Sequence, residues 1–533
     1  MHAVSSRAEA LRAALLAAAA AALLVALAPP GGDSAAHLYR TMLVRDGVHV
    51  WDNLWYGGQY PLTSYSLLYY LPAALLGNVP VVVAAVVGSA ALFASLAVRQ
   101  WGPAARWPAR AFGVLAAGPL FTGQYSYAVG LAFALAALWL LQGERTWAAV
   151  AAGALALGFS ALAFAFLCVA LAAMAVARGT LERRTVAVAL GLAAAVGIQL
   201  LTLAAFPAEG RYPFSPLSLG GVLAVSVLGA ALAYRSQRAG ALAAFFVLWG
   251  MANLAAFLVP SPFGDNLARL REVAFPLVLL AAALARFRPR PLAAAALAVA
   301  LVYNVAPDLR ALPHRTKDAR TADAAFWEPA LAFLRSHSTP DYRVEVVPTF
   351  GHWEAYWVPR AGFALARGWY RQLDLAQNPQ LYRDPLSARE YERWLRRLGV
   401  RYVLLPDARL GPLGADREAE LLMSGRGGLR RVFADGTWTI FELPRATPIM
   451  TGPAPARIHR FGHERIEATV GAPGVYRLRV RHTPYWRSPP GVCLRPAPGG
   501  ATSVLASRAG RFTLMLAESP GALLRSALRE PRC

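Results

Sequence analysis

Lysine is almost missing from this chain. Lys317 is the only one among 53 Lys and Arg residues, so arginine carries the formal charge of +23. Cysteine is nearly as scarce: Cys168, Cys493 and Cys533 are too few and too widely spaced to hold a metal, which excludes zinc-ribbon and cluster-binding classes. A Cys493–Cys533 disulfide remains open. No nucleic-acid module accompanies the scattered arginines, so nucleic acid is not an expected partner. Acidic residues number 30 and none sits deep inside an apolar run. That argues against a transporter, as does the lack of a clear inverted repeat.

What the chain has is apolar length. It is 57% hydrophobic over 533 residues, with a mean hydropathy of +0.40, too apolar for a soluble globular protein. The expected fold is a polytopic α-helical membrane protein embedded in the lipid bilayer. Apolar runs predict about eleven spans, near residues 11–28, 79–98, 108–122, 126–142, 146–158, 160–177, 185–205, 219–234, 241–259, 269–286 and 291–306. The first run also fits a signal peptide ending at Ala26-Leu27-Ala28, but the spans that follow favour a retained helix. Residues 62–77, apolar but studded with Tyr and Ser, read as a half-span lining a cavity.

Arginine clusters recur on one side of these spans: Arg99, Arg106 and Arg110; Arg178, Arg183 and Arg184; Arg235 and Arg238; Arg286, Arg288 and Arg290. The positive-inside rule then places the N-terminus in the cytoplasm and the C-terminal domain outside, in a multi-pass protein of the cell membrane. The same count puts Asp33, His37, Gln124, Glu209, Arg211, Asp265, Arg269, Arg271 and Glu272 on the outer face. The membrane region is assigned to residues 1–307, with 29–62 as its first outer loop. Two extracytoplasmic subdomains follow. Residues 308–445 read as α/β, from an amphipathic helix at 325–337, a strand at 342–348 and a helix–Gly399–strand unit over 387–406. Residues 446–533 read as β-sandwich-like, with strands at 465–470, 474–482 and 510–516.

The stretch Gly31-Gly32-Asp33-Ser34-Ala35-Ala36-His37 breaks the apolar pattern most sharply. An Asp at the bilayer centre costs roughly 2.5–3.5 kcal/mol, so Asp33 belongs at or beyond the membrane edge. Gly32-Asp33-Ser34-Ala35-Ala36-His37-Leu38 with Gly57-Gly58-Gln59-Tyr60-Pro61-Leu62 resembles bacterial membrane proteins described as 6-pyruvoyl-tetrahydropterin synthase-related, a label of homology only. Their membrane region is similar to that of GT-C glycosyltransferases. His352-Trp353-Glu354-Ala355-Tyr356, Arg367-Gly368-Trp369-Tyr370 and Leu398-Gly399-Val400-Arg401-Tyr402-Val403 resemble the outer domain of the same group.

That resemblance implies a transferase that takes a sugar from a polyprenyl-phosphate donor and passes it to an envelope glycan or lipid acceptor at the outer leaflet. The superfamily's acid in the first outer loop corresponds to Asp33. Many members carry paired acids there; here Ser34 follows.

Sugar transfer needs a carboxylate to take the acceptor's proton, and Asp33 is the candidate, with His37 one helical turn away to orient it or hold a metal. A divalent ion (Mg or Mn) is compatible with such a site. Asp33 equally suits a helix N-cap. Arg269 and Arg271 suit the donor phosphate, or lipid headgroups. Candidate substrate contacts are Trp51, Trp55, Tyr56, Tyr60, Gln124, Asp265, His352 and Glu354. An interfacial aromatic belt explains the first four as well, helix capping explains Asp265, and structural roles explain His352 and Glu354. The alternatives to a transferase are a non-catalytic envelope scaffold with the same shell and a lipid or glycan transporter. The transferase reading requires Asp33 to lie beside a basic group from a distant helix.

Overall fold

The computed structural model describes residues 6–179, 183–208, 210–412, 414–426 and 428–527, with the Leu270 side chain also left aside. Glu209 and Cys533 therefore lie outside the described residues. The chain forms two compact units. The first takes in residues 1–33, 65–204 and 209–313, the second residues 34–64, 205–208 and 314–533.

The first unit is helical. Among the described residues, eight helices are long and apolar enough to cross a membrane, including Ser6–Leu27, Tyr125–Gln142, Ala161–Arg178, Arg183–Ala205 and Pro216–Ala233. All the stretches expected to span are helical, the shortest being Thr146–Phe159, Arg271–Leu284 and the pair Arg106–Leu115 and Gly118–Thr122. Backbone polarity explains the uniformity, because only a helix satisfies every N–H and C=O within one apolar segment. Large apolar side chains such as Leu11, Leu23, Leu190, Leu201, Val227 and Leu258 point outward, as they do where lipid is the solvent. This is a polytopic helical membrane protein.

Small residues set the close packing. Ala13, Ala17 and Ala21 recur every fourth position on Ser6–Leu27 and are fully buried. Opposite them, a methyl on Gly113 would sit 2.7 Å from the Ala13 carbonyl oxygen, so only glycine permits that approach. Near the same end, buried Glu9 takes two hydrogen bonds from Arg110, at 3.0 and 2.9 Å, and a contact from Arg12. Sequence reasoning missed this acid, which lies inside the first apolar helix and survives there because it is paired.

Two elements depart from expectation. Within 62–77 the longest helix is Tyr70–Leu76, seven residues, too short for even a half-span of regular helix. The last apolar helix runs from Arg290 to Asp318, straight past Pro307 and Pro313. A proline forfeits one hydrogen bond and bends a helix without obliging it to stop.

The second unit holds twelve strands among its described residues: β1 (Arg343–Val346), β2 (Val400–Pro406), β3 (Arg430–Ala434), β4 (Trp438–Glu442), β5 (Met450–Thr451), β6 (Ala456–Phe461), β7 (Arg465–Val470), β8 (Gly474–Arg481), β9 (Trp486–Arg487), β10 (Val492–Pro496), β11 (Ala501–Ala506) and β12 (Gly510–Leu516). The first four form a mixed sheet in the order β1-β2-β4-β3, with β1 parallel to β2. The amphipathic helices Ala324–His337 and Ala388–Leu398 cover it, and Gly399 ends the second of them in the left-handed conformation. The other eight form two antiparallel sheets, β10-β11-β8-β5 and β6-β7-β12-β9. Alternate residues of β7, β8 and β12 point inward, and Ile466, Ala468, Leu478, Val480, Val504 and Leu514 fill the sandwich. Trp51 and Leu54 join that same core. Cys493 is disulfide-bonded; Cys168 is a free, exposed thiol.

Candidate functional site

Four segments of the first unit converge on Asp33. The diglycine Gly31-Gly32 ends the first helix's exit, and the helix Ser34–Arg45 starts on the next residue, so Asp33 occupies the N-cap position. Its side chain is turned to other partners. Tyr65 donates its hydroxyl to Asp33 Oδ2 at 2.7 Å, and Arg269 Nη1 lies 3.4 Å from the same oxygen. Asp33 is 8% exposed. Gly123 closes the fourth side. Its φ is +85°, and a methyl there would lie 2.7 Å from the Asp33 nitrogen and 3.1 Å from its Cα. Only glycine serves both the backbone angle and the contact.

Arg269 is held by the turn Gly264–Leu270. That turn is pinned by Asp265, whose amide donates to the Pro213 carbonyl at 3.2 Å and whose Oδ2 accepts from Ser218 at 3.2 Å. Tyr303 donates to the Ala268 carbonyl at 2.7 Å. Arg271 opens the following helix and reaches Asp308 at 3.5 Å. Gln124 follows Gly123 directly and is buried, as is Glu272 beside Arg271. Thus Asp33 and Arg269 meet directly, and Gln124, Asp265 and Arg271 sit on the segments that hold them.

The remaining sequence candidates belong to the second unit. His37 lies one turn into Ser34–Arg45, fully buried, and its carbonyl accepts from Thr41. Trp55 is fully buried, stacks on Tyr39 at 4.4 Å and donates its indole N–H to the Ala355 carbonyl at 3.0 Å. Tyr56 donates to the Tyr370 carbonyl at 2.9 Å, Trp51 to Asn53 Oδ1 at 2.7 Å, and Tyr60 to Thr483 at 2.7 Å. These aromatic groups spend their donors on the protein itself. His352 lies 3.0 Å from Glu354, which also accepts from the Thr349 amide and hydroxyl at 3.1 and 2.9 Å.

Sequence reading overlooked the hub of that unit, Asp52. It is fully buried and accepts from His463 at 2.9 Å, Tyr39 at 2.9 Å, Gln59 at 3.3 Å and the Leu54 amide at 3.0 Å. Burial opposes its charge, yet His463 and the other donors outweigh burial and hold its pKa below the ordinary carboxylate value. Burial likewise works against a charge on His463, and Asp52 overcomes it, raising the imidazole above its usual value. Tyr65 was visible only as one tyrosine in an aromatic run; nothing local marks it as Asp33's partner.

Among the described residues no group of three or more His, Cys, Asp or Glu side chains could hold a metal ion. The donor set around Asp33, one carboxylate with a guanidinium and a phenol, does not fit a divalent cation, because Arg269 already supplies the positive charge.

No protein-family model and no curated protein matches the chain. Solved structures do. The arabinofuranosyltransferase AftD from mycobacteria matches at a TM-score of 0.50 and 16% identity over 83% of this chain and 42% of that one. A second AftD structure gives a TM-score of 0.48. ArnT from Cupriavidus metallidurans in the apo state matches at 0.38 and 13% identity over 78% of this chain and 93% of that one. This chain thus spans less than half the length of AftD. At such identity the first likeness is one of fold: a polytopic helical membrane protein with a C-terminal sheet domain.

Proposed function

We propose that the protein is an integral membrane glycosyltransferase that moves a sugar from a polyprenyl-phosphate donor to an envelope glycan or lipid acceptor on the outer face. The observation that carries this reading is the meeting of Asp33 and Arg269, 236 residues apart in sequence, on one carboxylate oxygen. With Oδ2 engaged by Tyr65 and Arg269, Oδ1 is the oxygen that takes the acceptor's proton. As the acceptor oxygen bonds to the anomeric carbon, the bond from that carbon to phosphate breaks and polyprenyl phosphate leaves. Arg269, with guanidinium hydrogens beyond the one facing Asp33, meets the phosphate charge that develops, and Arg271 adds a second cation near it. No step is assigned to a metal.

In this reading Gln124 and Asp265 act in the donor site or shape it, whereas Trp51, Trp55, Tyr56, Tyr60, His352 and Glu354 serve the architecture of the second unit. Asp33 and His37 keep different tasks: base for the first, packing for the second. Support also comes from the fold shared with AftD, a protein named as an arabinofuranosyltransferase. The orientation follows the arginine distribution, with the N-terminus cytoplasmic and the sheet domain extracytoplasmic.

The test is comparative. Envelope glycolipids from cells with and without the gene are resolved by mass spectrometry. Loss of one glycan with build-up of a polyprenyl-phosphate sugar is the expected result; an unchanged profile of both would refute the proposal.

A further inference from the structure

The sandwich carries a charge imbalance on the solvent face of its sheet β10-β11-β8-β5. Between Glu467 and Glu518 the chain has seven arginines and no acid. Strand alternation sorts the residues by face. Tyr476, Leu478 and Val504 are buried in the core, so Arg477, Ser503 and Arg495 point the other way. Register then lines them up: Arg495 stands opposite Ser503, Ser503 opposite Arg477 and Arg477 opposite Thr451, one row across all four strands. Neighbouring strands lie about 4.8 Å apart, so the two arginine positions are about 10 Å apart. Both arginines are exposed. Arg477 gives one hydrogen bond to the Pro498 carbonyl at 2.9 Å, and among the described residues neither arginine meets a carboxylate. Along β8, Arg479 donates to the Pro448 carbonyl and to Thr451 at 2.9 and 3.0 Å, and buried Arg343 donates to the Arg479 carbonyl at 2.6 Å. Burial and the Arg479 charge push Arg343 down to about 9, and burial and Arg477 push Arg479 down in turn. These cations act on one another.

The same face holds an open cavity of about 670 Å³, within the roughly 300–1,000 Å³ of small-ligand sites. Its floor includes Val475 and Leu505, which pair across β8 and β11 two residues from the Arg477–Ser503 pair. Val475 is 60% exposed. Pro489 and Pro490 wall the cavity, Ser488 and Ser507 add hydroxyls, and Cys493, held in a disulfide, fixes another side. An apolar floor beside a rim of guanidinium and hydroxyl groups calls for a ligand with one apolar face, several hydroxyls and a negative charge. A free phosphate would leave the floor uncovered, an acyl chain has nothing for the arginines, and a bilayer surface is flat where this site is concave. A sugar acid meets every part. Its ring C–H groups cover Val475 and Leu505, its hydroxyls meet Ser503 and Ser507, and its carboxylate fits a guanidinium fork. We infer that this face of the sandwich binds an acidic glycan, with a uronate-type sugar seated on Val475 and Leu505 and the carboxylates of neighbouring sugars held by Arg477 and Arg495. The inference goes beyond the transferase proposal and does not need the Asp33 chemistry.

The experiment uses the purified full-length chain in zwitterionic nanodiscs, with a galacturonate trimer, its methyl ester and a glutamate trimer as probes. The wild type is expected to bind the galacturonate trimer about tenfold more tightly than the ester, which has the same rings and no charge. Arg477→Gln and Arg495→Gln should each weaken that binding about fivefold, since each removes one exposed ion pair. Val475→Glu, which sets a like charge on the floor, should weaken it by more than about tenfold. Arg457→Gln removes the same charge from β6 in the opposite sheet and should leave affinity within about twofold. All four positions are exposed, and melting temperatures report whether each variant folds. If Arg457→Gln weakens binding as much as Arg477→Gln, overall charge is responsible and the site is wrong. If the glutamate trimer binds as tightly as the galacturonate trimer, the face reads charge without sugar and the glycan assignment is wrong. If the wild type treats the trimer and its ester alike, or if the three variants in the face fold and bind normally, the inference falls. None of these results touches the transferase proposal, which the comparison of envelope glycolipids decides separately.

Discussion

Replacing Asp33 with Asn separates chemistry from stability better than any other single change. Asn keeps the size of the side chain and one acceptor oxygen for Tyr65, but it cannot take a proton. The structural cost can be worked from the two contacts on Oδ2. A hydrogen bond to a charged acceptor contributes about 1.5–3 kcal/mol and a neutral one about 0.5–1.5, so the Tyr65 contact loses about 1 kcal/mol. The Arg269 pair is long, at 3.4 Å, with side chains 27% and 11% exposed. Losing the pair leaves a largely buried guanidinium without its counter-charge, which adds about 1–3 kcal/mol. The total, about 2–4 kcal/mol, is below the 5–15 kcal/mol that typically holds a domain together, so protein level should hold. Loss of a general base instead costs about 10²–10⁴ in rate. The assay complements a deletion strain with wild type or Asp33→Asn, measures protein by immunoblot of the membrane fraction and quantifies the affected envelope glycan by mass spectrometry. Near-complete loss of glycan at near-normal protein level is expected. Normal glycan at normal protein level would refute the reasoning, because Asp33 is the carboxylate on which Tyr65 and Arg269 meet.

Arg269→Lys keeps the charge but loses the planar fork, and should reduce transfer by about tenfold, with Arg269→Gln worse by a further order; initial rates on a lipid-phosphate sugar report both. Gly123→Ala forces a side chain onto a positive φ and into the Asp33 backbone, so about 1–2 kcal/mol of stability should go with most of the activity, read as a melting temperature and a rate. Arg110→Ala leaves Glu9 buried with Arg12 alone and should lower stability by about 1–3 kcal/mol without changing the donor affinity of the protein that remains folded. His463→Gln tests the Asp52 hub. His463's folded pKa is raised, so its charge stabilises fully below the ordinary value near 6.5 and the contribution fades as pH rises through the folded value. Asp52's folded pKa is lowered, so its contribution is present above the ordinary 3.8 and fades as pH falls through the lower folded value. Wild-type unfolding should therefore show a fall in stability above about pH 6.5 that His463→Gln removes; an identical pH profile in the two proteins would exclude the ion pair as its source.

Much of the membrane architecture was legible because its cause is local. A long apolar run has one way to bury its backbone polar groups, and the helix at each expected position follows from that. The strands of the sandwich were legible for a similar reason: alternation in 465–470 and 474–481 is itself the record of one face being buried. Proline misled where the rule is statistical. Pro307 marked the end of the last helix in the sequence, yet the helix continues to Asp318, because a proline's cost is a single bond and neighbouring turns can carry it.

The site was half legible, and the division follows the physics. Asp33 stands out because a charge next to an apolar run must be explained wherever it occurs. Arg269 stands out because an arginine opening an apolar helix must sit at an edge. Both judgements need only one residue and its neighbours. The groups that were missed are those whose meaning lies in a distant partner. Tyr65 becomes Asp33's donor only once residues 33 and 65 are adjacent in space, and Asp52 becomes a hub only when β6 and β7 bring His463 to it. The aromatics show the converse. Trp51, Trp55 and Tyr56 read as candidate substrate contacts because a sequence shows a residue's type and not whether its surface is already spent. In the structure they are packed and hydrogen-bonded, whereas Glu272 and Tyr127, which no local pattern distinguishes, keep polar atoms without partners among the described residues. Whether a side chain's bonding capacity is already spent is written in no local pattern, because it is fixed only when folding has set every other contact.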